Sequence, residues 1–429
     1  MANARELVLR SLHRIENEGA YSNRELTNLL AEKELASQDR GFVTELLLGV
    51  VQNKLWLDYV IGQFSNVKLK KLSPWIHGIL RLGIYQILSM ERVPDSAACN
   101  EMVKLAGKYS RGASRGFVNG VLRNVSRNKA GISYPKAIDE SLSVRYSCPL
   151  WLTKKMMDQY GTETCEEILK ASLCRFPVTV RVNPLKTNQT ELLQVLQKEG
   201  ISAELPEESS RYLVITGAIN VNQSPSYGAG LYTLQNTSSM AAAAMLDAKE
   251  GERVLDLCAA PGGKTTYLGE EMQNQGEIIA CDLHPHKIPL IQSGAKRLGI
   301  ENVKAMVQDG TIYNPEWESG FDRVLADVPC SGIGVIHKKP DIKWKRQPED
   351  ISALCEIQQK ILTNAERYVK QGGTLVYSTC TILEEENQMQ TKWFLEAFPE
   401  FSLVEEKTLL THQTGGSGFY IAKFLRGTK

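Results

Sequence analysis

The sequence predicts an all-helical bundle followed by a doubly wound α/β domain. Three observations predict it. Apolar residues recur every three to four positions through roughly the first 130 residues, the period of helices packed on one face. After Ala241 short apolar runs alternate with helical stretches, and each run ends in a polar or reactive residue. Between those runs stands Val254-Leu-Asp-Leu-Cys-Ala-Ala-Pro-Gly-Gly-Lys-Thr265. It reads as a buried strand, a turn of small residues and a helix start near Thr265. That is the first unit of a doubly wound sheet, whose ligand sits at the carboxyl ends of the strands.

The whole-chain numbers bound the reading. A chain of 429 residues is long for one core, so two or three domains are expected. Hydrophobic residues at 42% and charged residues at 23% are ordinary for a globular protein. The formal net charge of +1 hides a local asymmetry. Between Val103 and Ile138 stand Lys104, Lys108, Arg111, Arg115, Arg123, Arg127, Lys129 and Lys136, with no acid among them. A phosphate-contacting surface is expected there, against the plainer alternative of a solvated helical face. The 9 cysteines form no C-x-x-C pairs, so neither a disulfide framework nor a metal site is indicated. No signal peptide and no membrane-spanning run is visible; a cytoplasmic monomer with no membrane partner and no metal is expected.

In chain order, Val8, Leu12 and Ile15 share one helical face. Ser22-Asn-Arg-Glu25 has capping-box spacing before Leu26, Leu29 and Leu30. Phe42, Val43, Leu46, Leu47, Val50 and Val51 line a strongly apolar helix. Ser73-Pro74 opens another, carrying Ile76, Ile79, Leu80, Ile84, Ile87 and Leu88. Phe117, Val118, Val121, Leu122 and Val125 line the last. The domain so defined is 1–128. Residues 129–150 lack periodicity and are punctuated by Gly131, Pro135 and Pro149, as a linker would be. From 151 to 240 a small α+β region is expected. Trp151–Leu173 and Glu191–Lys198 are helical in pattern, and Val178–Asn183 and Tyr212–Ile215 are strands. From 241 to 429 strands are expected at Val254–Leu257, Glu277–Cys281, Val303–Val307, Asp322–Ala326 and Thr374–Tyr377. They are followed by Cys258, Asp282, Asp309, Asp327 with Cys330, and Cys380. A parallel sheet gathers all these ends on one edge, which argues for one cleft.

The glycine turn is neither of two familiar phosphate loops. In the pattern G-x-x-x-x-G-K-S/T the first glycine is replaced by Cys258, and Pro261 removes a backbone donor. The spacing G-x-G-x-x-G is absent. The run Asp256-Leu-Cys-Ala-Ala-Pro-Gly-Gly-Lys264 instead resembles the S-adenosylmethionine loop of the RNA cytosine-5 methyltransferases. Arg181-Val-Asn-Pro184, Tyr232-Thr-Leu-Gln-Asn-Thr-Ser-Ser-Met240, Asp327-Val-Pro-Cys330, Ser378-Thr-Cys380-Thr381 and Gly418-Phe-Tyr-Ile-Ala422 continue that resemblance. The family usually has aspartate where Asn236 and Ser417 stand, and tends to have arginine at His337. In the helical region Asp39-Arg40-Gly41-Phe42 and Gly116-Phe-Val-Asn-Gly-Val-Leu-Arg123 are similar to the NusB family of small RNA-binding bundles.

The resemblance implies a Rossmann-like methyltransferase fold that takes S-adenosylmethionine and methylates small-subunit ribosomal RNA. The cofactor is expected against Cys258, Ala259, Ala260, Pro261, Gly262, Gly263 and Lys264, with Asp282 on the ribose and Asp309 near the adenine; Asp327 closes that set. Asp282 as a helix cap and Asp309 as a turn residue are the plainer alternatives. The resemblance assigns the nucleophile to Cys380 and product release to Cys330. Asp327 is expected at the N3/N4 edge of the base, and Lys264 nearby, lowering a cysteine pKa. DNA enzymes use the Pro-Cys cysteine as nucleophile and lack the second one, so the presence of both favours RNA. Lys338-Lys-Pro-Asp-Ile-Lys-Trp-Lys-Arg346 is expected to form a single-strand-binding surface. A non-enzymatic RNA-binding factor and an enzyme acting on tRNA or DNA are the two other classes compatible with the residues.

Overall fold

The computed structural model describes residues 4–31, 35, 39–207, 209–217 and 219–428. It divides into two compact units, Met1–Cys174 with Ile336–Lys345, and Arg175–Val335 with Arg346–Lys429.

The first unit is helical: α1 Ala4–Asn17, α2 Ser22–Ala31, α3 Asp39–Gln52, α4 Lys54–Phe64, α5 Pro74–Ser89, α6 Asp95–Tyr109, α7 Arg115–Arg127, α8 Ile138–Arg145 and α9 Leu150–Ser172. The expected apolar faces make its core, with Val8, Leu12, Leu46, Ile79, Leu80, Val118 and Leu122 fully buried. Helix α5 starts as the sequence indicates. Pro74 occupies the first turn and the Ser73 hydroxyl accepts from the Ile76 N–H. Helix α9 breaks at Gly161, whose φ of 77° no side-chain-bearing residue adopts readily.

Three expectations fail here. Residues 129–150 are not simply a linker: α8 lies inside them, and Leu142 is buried. Its eight residues are too short for periodicity to register. The Ser22–Glu25 capping box does not form. The Ser22 N–H and hydroxyl both donate to Asp341, and Glu25 takes the Arg14 guanidinium at 2.6 Å. The third failure is the basic stretch around Lys338–Arg346, most of which is an anchor. Lys343 is 2% exposed and donates to the Gln52 carbonyl. Trp344 donates to the Val51 carbonyl, and Lys345 to those of Gly19 and Ala20. Burial lowers Lys343 to about 8. His337, where the resemblance leads one to expect arginine, is held at about 4 by burial and Lys338, so it is neutral near pH 7.

The second unit holds two sheets. Strands β1 Val178–Val182, β2 Ala203–Glu204, β3 Tyr212–Ile215 and β4 Tyr232–Leu234 form an antiparallel sheet in the order β2-β3-β1-β4, with α10 Gln189–Lys198. The larger sheet comprises β5 Arg253–Asp256, β6 Glu277–Asp282, β7 Val303–Val307, β8 Phe321–Asp327, β9 Val369–Thr379, β10 Phe401–Leu409 and β11 Phe419–Arg426. Its order is β10-β11-β9-β8-β5-β6-β7. The pairs among β5 to β9 are parallel, and β11 and β10 close the edge antiparallel. Helices α11 Thr237–Leu246, α12 Gly263–Glu271, α13 Ile288–Leu298, α14 Pro348–Tyr368 and α15 Gln388–Ala397 accompany the sheet. Each of the five expected strands is present, within one or two residues except β9. That strand starts earlier, at Val369, which pairs with Phe321 of β8, and both β8 and β11 flank it from Thr374 on.

Candidate active site

The order of the sheet reverses between β5 and β8, and a doubly wound sheet opens its crevice at such a switch point. A cavity of about 250 Å³ lies there. Asp256, Cys258, Ala259, Ala260, Pro261, Gly263 and Lys264 line one side, Asp327 another, and Leu234, Gln235, Asn236 and Ser239 a third. The turn after β5 needs its glycine at 262. Gly262 has φ of 103°, and a Cβ there would stand 3.2 Å from the Ile291 Cα. Helix α12 therefore begins at Gly263, two residues before the expected start.

Two carboxylates frame the cavity. Asp256 Oδ2 accepts from the Thr265 hydroxyl at 2.7 Å, while its Oδ1 is buried with no hydrogen-bond partner among the described residues. Burial pushes this carboxyl up to about 7. Asp327 pairs with Lys264 Nζ at 2.6 Å and accepts from the Ser378 hydroxyl at 2.8 Å. The second contact follows from register, since Asp327 and Ser378 are partners across β8 and β9. The same register carries the chain on to Cys330 and Cys380, whose Sγ atoms lie 3.2 Å apart.

Lys264 pairs with Asp327 and is not among the principal causes of the Cys330 and Cys258 shifts. The Cys380 hydrogen bond and burial raise Cys330 well above its usual range, with Glu386 and Asp327 adding to the effect. Burial and the Asp256, Asp327 and Asp282 carboxylates raise Cys258 likewise.

Asp282 and Asp309 stand at the ends of β6 and β7, on the same edge of the sheet. Asp282 is 6% exposed; its Oδ1 accepts from the His284 N–H at 3.0 Å and lies 3.4 Å from Lys287 Nζ. Asp309 Oδ1 accepts from the Thr311 N–H and hydroxyl. Both carboxylates thus carry a local turn contact, whatever else they bind. Asn236 caps α11 through the Ser239 N–H and donates to the Ser417 hydroxyl at 3.3 Å. The two positions at which the resemblance leads one to expect aspartate therefore face each other.

The sequence reading passed over several side chains here. Fully buried Arg181 on β1 donates to Gln235 Oε1, the Gly263 carbonyl at 2.7 Å, Thr266 at 3.0 Å and Glu270 at 2.8 Å. It ties the small sheet to the start of α12. Glu386, behind Cys330, is another, and the acidic run Glu384–Glu386 so close after Cys380 was its one visible signal.

In the helical unit the basic run is less bare than its sequence. Lys104, Lys108 and Lys129 pair with Glu101, Glu6 and Asp95, acids that precede the run. Arg111, Arg115, Arg123, Arg127 and Lys136 remain exposed.

Comparison with known proteins agrees with this layout. Residues 243–425 match the family model described as 16S rRNA methyltransferase RsmB/F. Residues 2–127 match the NusB family, and 148–222 a ferredoxin-like domain described as Methyltr_RsmF/B-like. The chain is 39% identical to the "Probable ribosomal RNA small subunit methyltransferase B" of Bacillus subtilis, with 98% of each chain covered. It is 33% identical to the ribosomal RNA small subunit methyltransferase B of Proteus mirabilis, again over 98% of each. Among solved structures, that of PH0851 superposes with a TM-score of 0.82 at 27% identity, over 99% of both chains. A methyltransferase homolog from Pyrococcus horikoshii reaches 0.60 at 29% identity, over 66% of this chain and 97% of its own. By sequence along its full length, by domain order and by fold, this chain belongs to the RsmB/F family of 16S rRNA methyltransferases.

Proposed function

We propose that the protein transfers a methyl group from S-adenosylmethionine to carbon 5 of a cytidine in small-subunit ribosomal RNA, at cytosine-967, through a covalent bond between Cys380 and carbon 6. The 3.2 Å approach of Cys330 and Cys380 beside the Lys264–Asp327 pair carries this reading. The cavity fits the cofactor. Its glycine turn admits a ligand against backbone, and the unpartnered Asp256 oxygen is an acceptor suited to a cationic group. Cys258 to Lys264, Asp282, Asp309 and Asp327 are the residues assigned to hold it.

S-adenosylmethionine supplies an electrophilic methyl on sulfur. Carbon 5 of cytosine is too poor a nucleophile to take that methyl unaided. The Cys380 thiolate adds its electron pair to carbon 6, and the C5–C6 pair is pushed onto carbon 5, which bonds the methyl carbon as the methyl–sulfur bond breaks and its electrons leave with the sulfur. Transfer of the carbon-5 proton to water and departure of the thiolate restore the double bond and return Cys380 to its starting state. Splitting one hard step into two is the gain of covalent catalysis. Asp327 faces the N3/N4 edge, and Lys264 holds Asp327 oriented through their 2.6 Å ion pair. Cys330 assists the elimination. The exposed arginines of α7 and the turn before it supply phosphate contacts.

The two cysteines are tested apart. Cys380→Ala should bind the cofactor yet neither methylate RNA nor form an RNA adduct. Cys330→Ala should accept the methyl group and then stall, leaving an RNA-linked species on denaturing gels. An adduct in Cys380→Ala, or none in either variant while the wild type methylates, would refute these roles. Bisulfite mapping of small-subunit rRNA from cells with and without the protein tests the nucleotide.

A further inference from the structure

We propose that Glu386 and Asn387 are positioning residues that set the distance between the two thiols, Glu386 through the turn bearing Cys330 and Asn387 through the strand end bearing Cys380. The proposal rests on the reading of those cysteines as the reacting groups.

Both residues are fully buried, in the turn that follows β9. Glu386 reaches across to the other thiol's loop. Its Oε1 accepts from the Ser331 N–H at 2.7 Å, and its Oε2 lies 2.5 Å from the Ser331 hydroxyl. Gln358 donates both to Glu386 Oε1 and to the Pro329 carbonyl. The residues on either side of Cys330 are thereby fixed to one carboxylate. Asn387 does the same for Cys380. Its side-chain oxygen accepts from the Thr379 hydroxyl at 2.6 Å, and its amide donates to the Thr381 carbonyl at 3.1 Å. The halves meet where the Ser331 and Thr381 hydroxyls stand 2.8 Å apart. A second tie lies beyond them: the Gly334 N–H donates to the Cys380 carbonyl at 3.0 Å.

Burying a carboxylate is costly unless its oxygens are satisfied, and here they are satisfied by the groups that flank a cysteine. A scaffold role alone would not require that placement. Reacting groups must be held to within about half an ångström, and a displacement of about 1 Å costs roughly a hundredfold in rate.

The test uses the full chain as wild type, Glu386→Gln, Glu386→Ala and Ser331→Ala. Diamide, a thiol oxidant, takes two electrons and two protons from a thiol pair and leaves a disulfide. The rate at which a Cys330–Cys380 disulfide appears, mapped by mass spectrometry, reads their approach without any need for methyl transfer. Glu386→Ala should form it at least tenfold more slowly. Its kcat should fall at least tenfold with KM for S-adenosylmethionine within twofold of wild type. Glu386→Gln, which can still accept from the Ser331 N–H and donate to its oxygen, should recover most of both. Wild-type disulfide rate and kcat in Glu386→Ala would overturn the proposal. So would a loss confined to KM. If Glu386→Ala does not fold, Ser331→Ala decides, a slowing of threefold or more supporting the proposal and a wild-type rate overturning it. Slow disulfide formation in Glu386→Ala beside a wild type that methylates no RNA would support the positioning role and refute the proposed reaction instead.

Discussion

Arg181 offers the sharpest test of how the glycine turn after β5 is held. Its side chain and that of Glu270 are both 0% exposed, 2.8 Å apart. Replacing one member of a buried pair strands the other, at a cost of about 3–5 kcal/mol. Arg211 lies 3.3 Å from the other Glu270 oxygen and is 26% exposed, so it compensates in part and the lower end applies. Arg181→Ala should lose about 3 kcal/mol, or roughly 6–12 °C in Tm for a unit of this size. A buried pair replaced by apolar side chains of similar volume is often neutral, so Arg181→Met with Glu270→Met should recover most of the loss. The deficit also depends on pH. Burial holds Glu270 above its ordinary 4.5, while Arg181 pulls it down. Without Arg181 it rises further. A carboxyl raised by folding favours the folded state at low pH, and that advantage is lost as pH climbs from the unfolded value through the folded one. The gap between Arg181→Ala and wild type should therefore widen as pH rises above about 4.5. Calorimetric scans across pH measure it. A drop under about 2 °C with no pH trend, or a double variant no more stable than the single, would refute the reasoning.

Asp282→Ala should weaken S-adenosylmethionine by about 1.5–3 kcal/mol if it accepts charge-assisted ribose hydrogen bonds. Titration calorimetry with unchanged affinity would remove Asp282 from the site. Asp341, 4% exposed, satisfies both the N–H and the hydroxyl of Ser22. Asp341→Ala should destabilise the helical unit by about 2–4 kcal/mol, seen as a lower urea midpoint. An unchanged midpoint would mean that the Ile336–Lys345 segment does not anchor there.

What was legible in the sequence follows from which forces leave a periodic mark. The apolar stripes of α3 and α5 and the runs of β5, β6 and β8 are written in residue order, because burial on one face or both imposes the spacing. Strand β10 left no such mark. It is an edge strand with Leu403 and Val404 exposed and Glu405, Glu406 and Lys407 following, which is how edges avoid further pairing. The chain near Lys338–Arg346 misled for a related reason. Its bases and tryptophan have the composition of a nucleic-acid surface, but Lys343 and Trp344 bond to carbonyls at the end of α3. Composition carries charge and not direction. Strand ends pointed to Cys330 and Cys380 because topology alone gathers them. Arg181 stood out only as part of a motif and Glu386 only as part of an acidic run, and neither role could be read because their partners lie 89 and 55 residues away.

The surroundings of the two cysteines bear on which one would attack in the proposed reaction. Two thiols 3.2 Å apart do not ionise together; the first thiolate is stabilised by the S–H that remains, and the second ionisation is opposed by its charge. The Cys380 hydrogen bond and burial raise Cys330 most, and the Glu386 and Asp327 carboxylates add to them. These neighbours favour the protonated form of Cys330. A protonated Cys330 is suited to hydrogen-bond the attacking sulfur and, later, to the proton movements of elimination. It is poorly suited to attack. Lys264 lies 2.6 Å from Asp327, one of the carboxylates that raise Cys330. Removing the charge at Asp327, as in Asp327→Asn, takes away one of the causes that raise Cys330, so Cys330 should be alkylated faster in that variant than in wild type, and an unchanged alkylation rate at Cys330 would refute this.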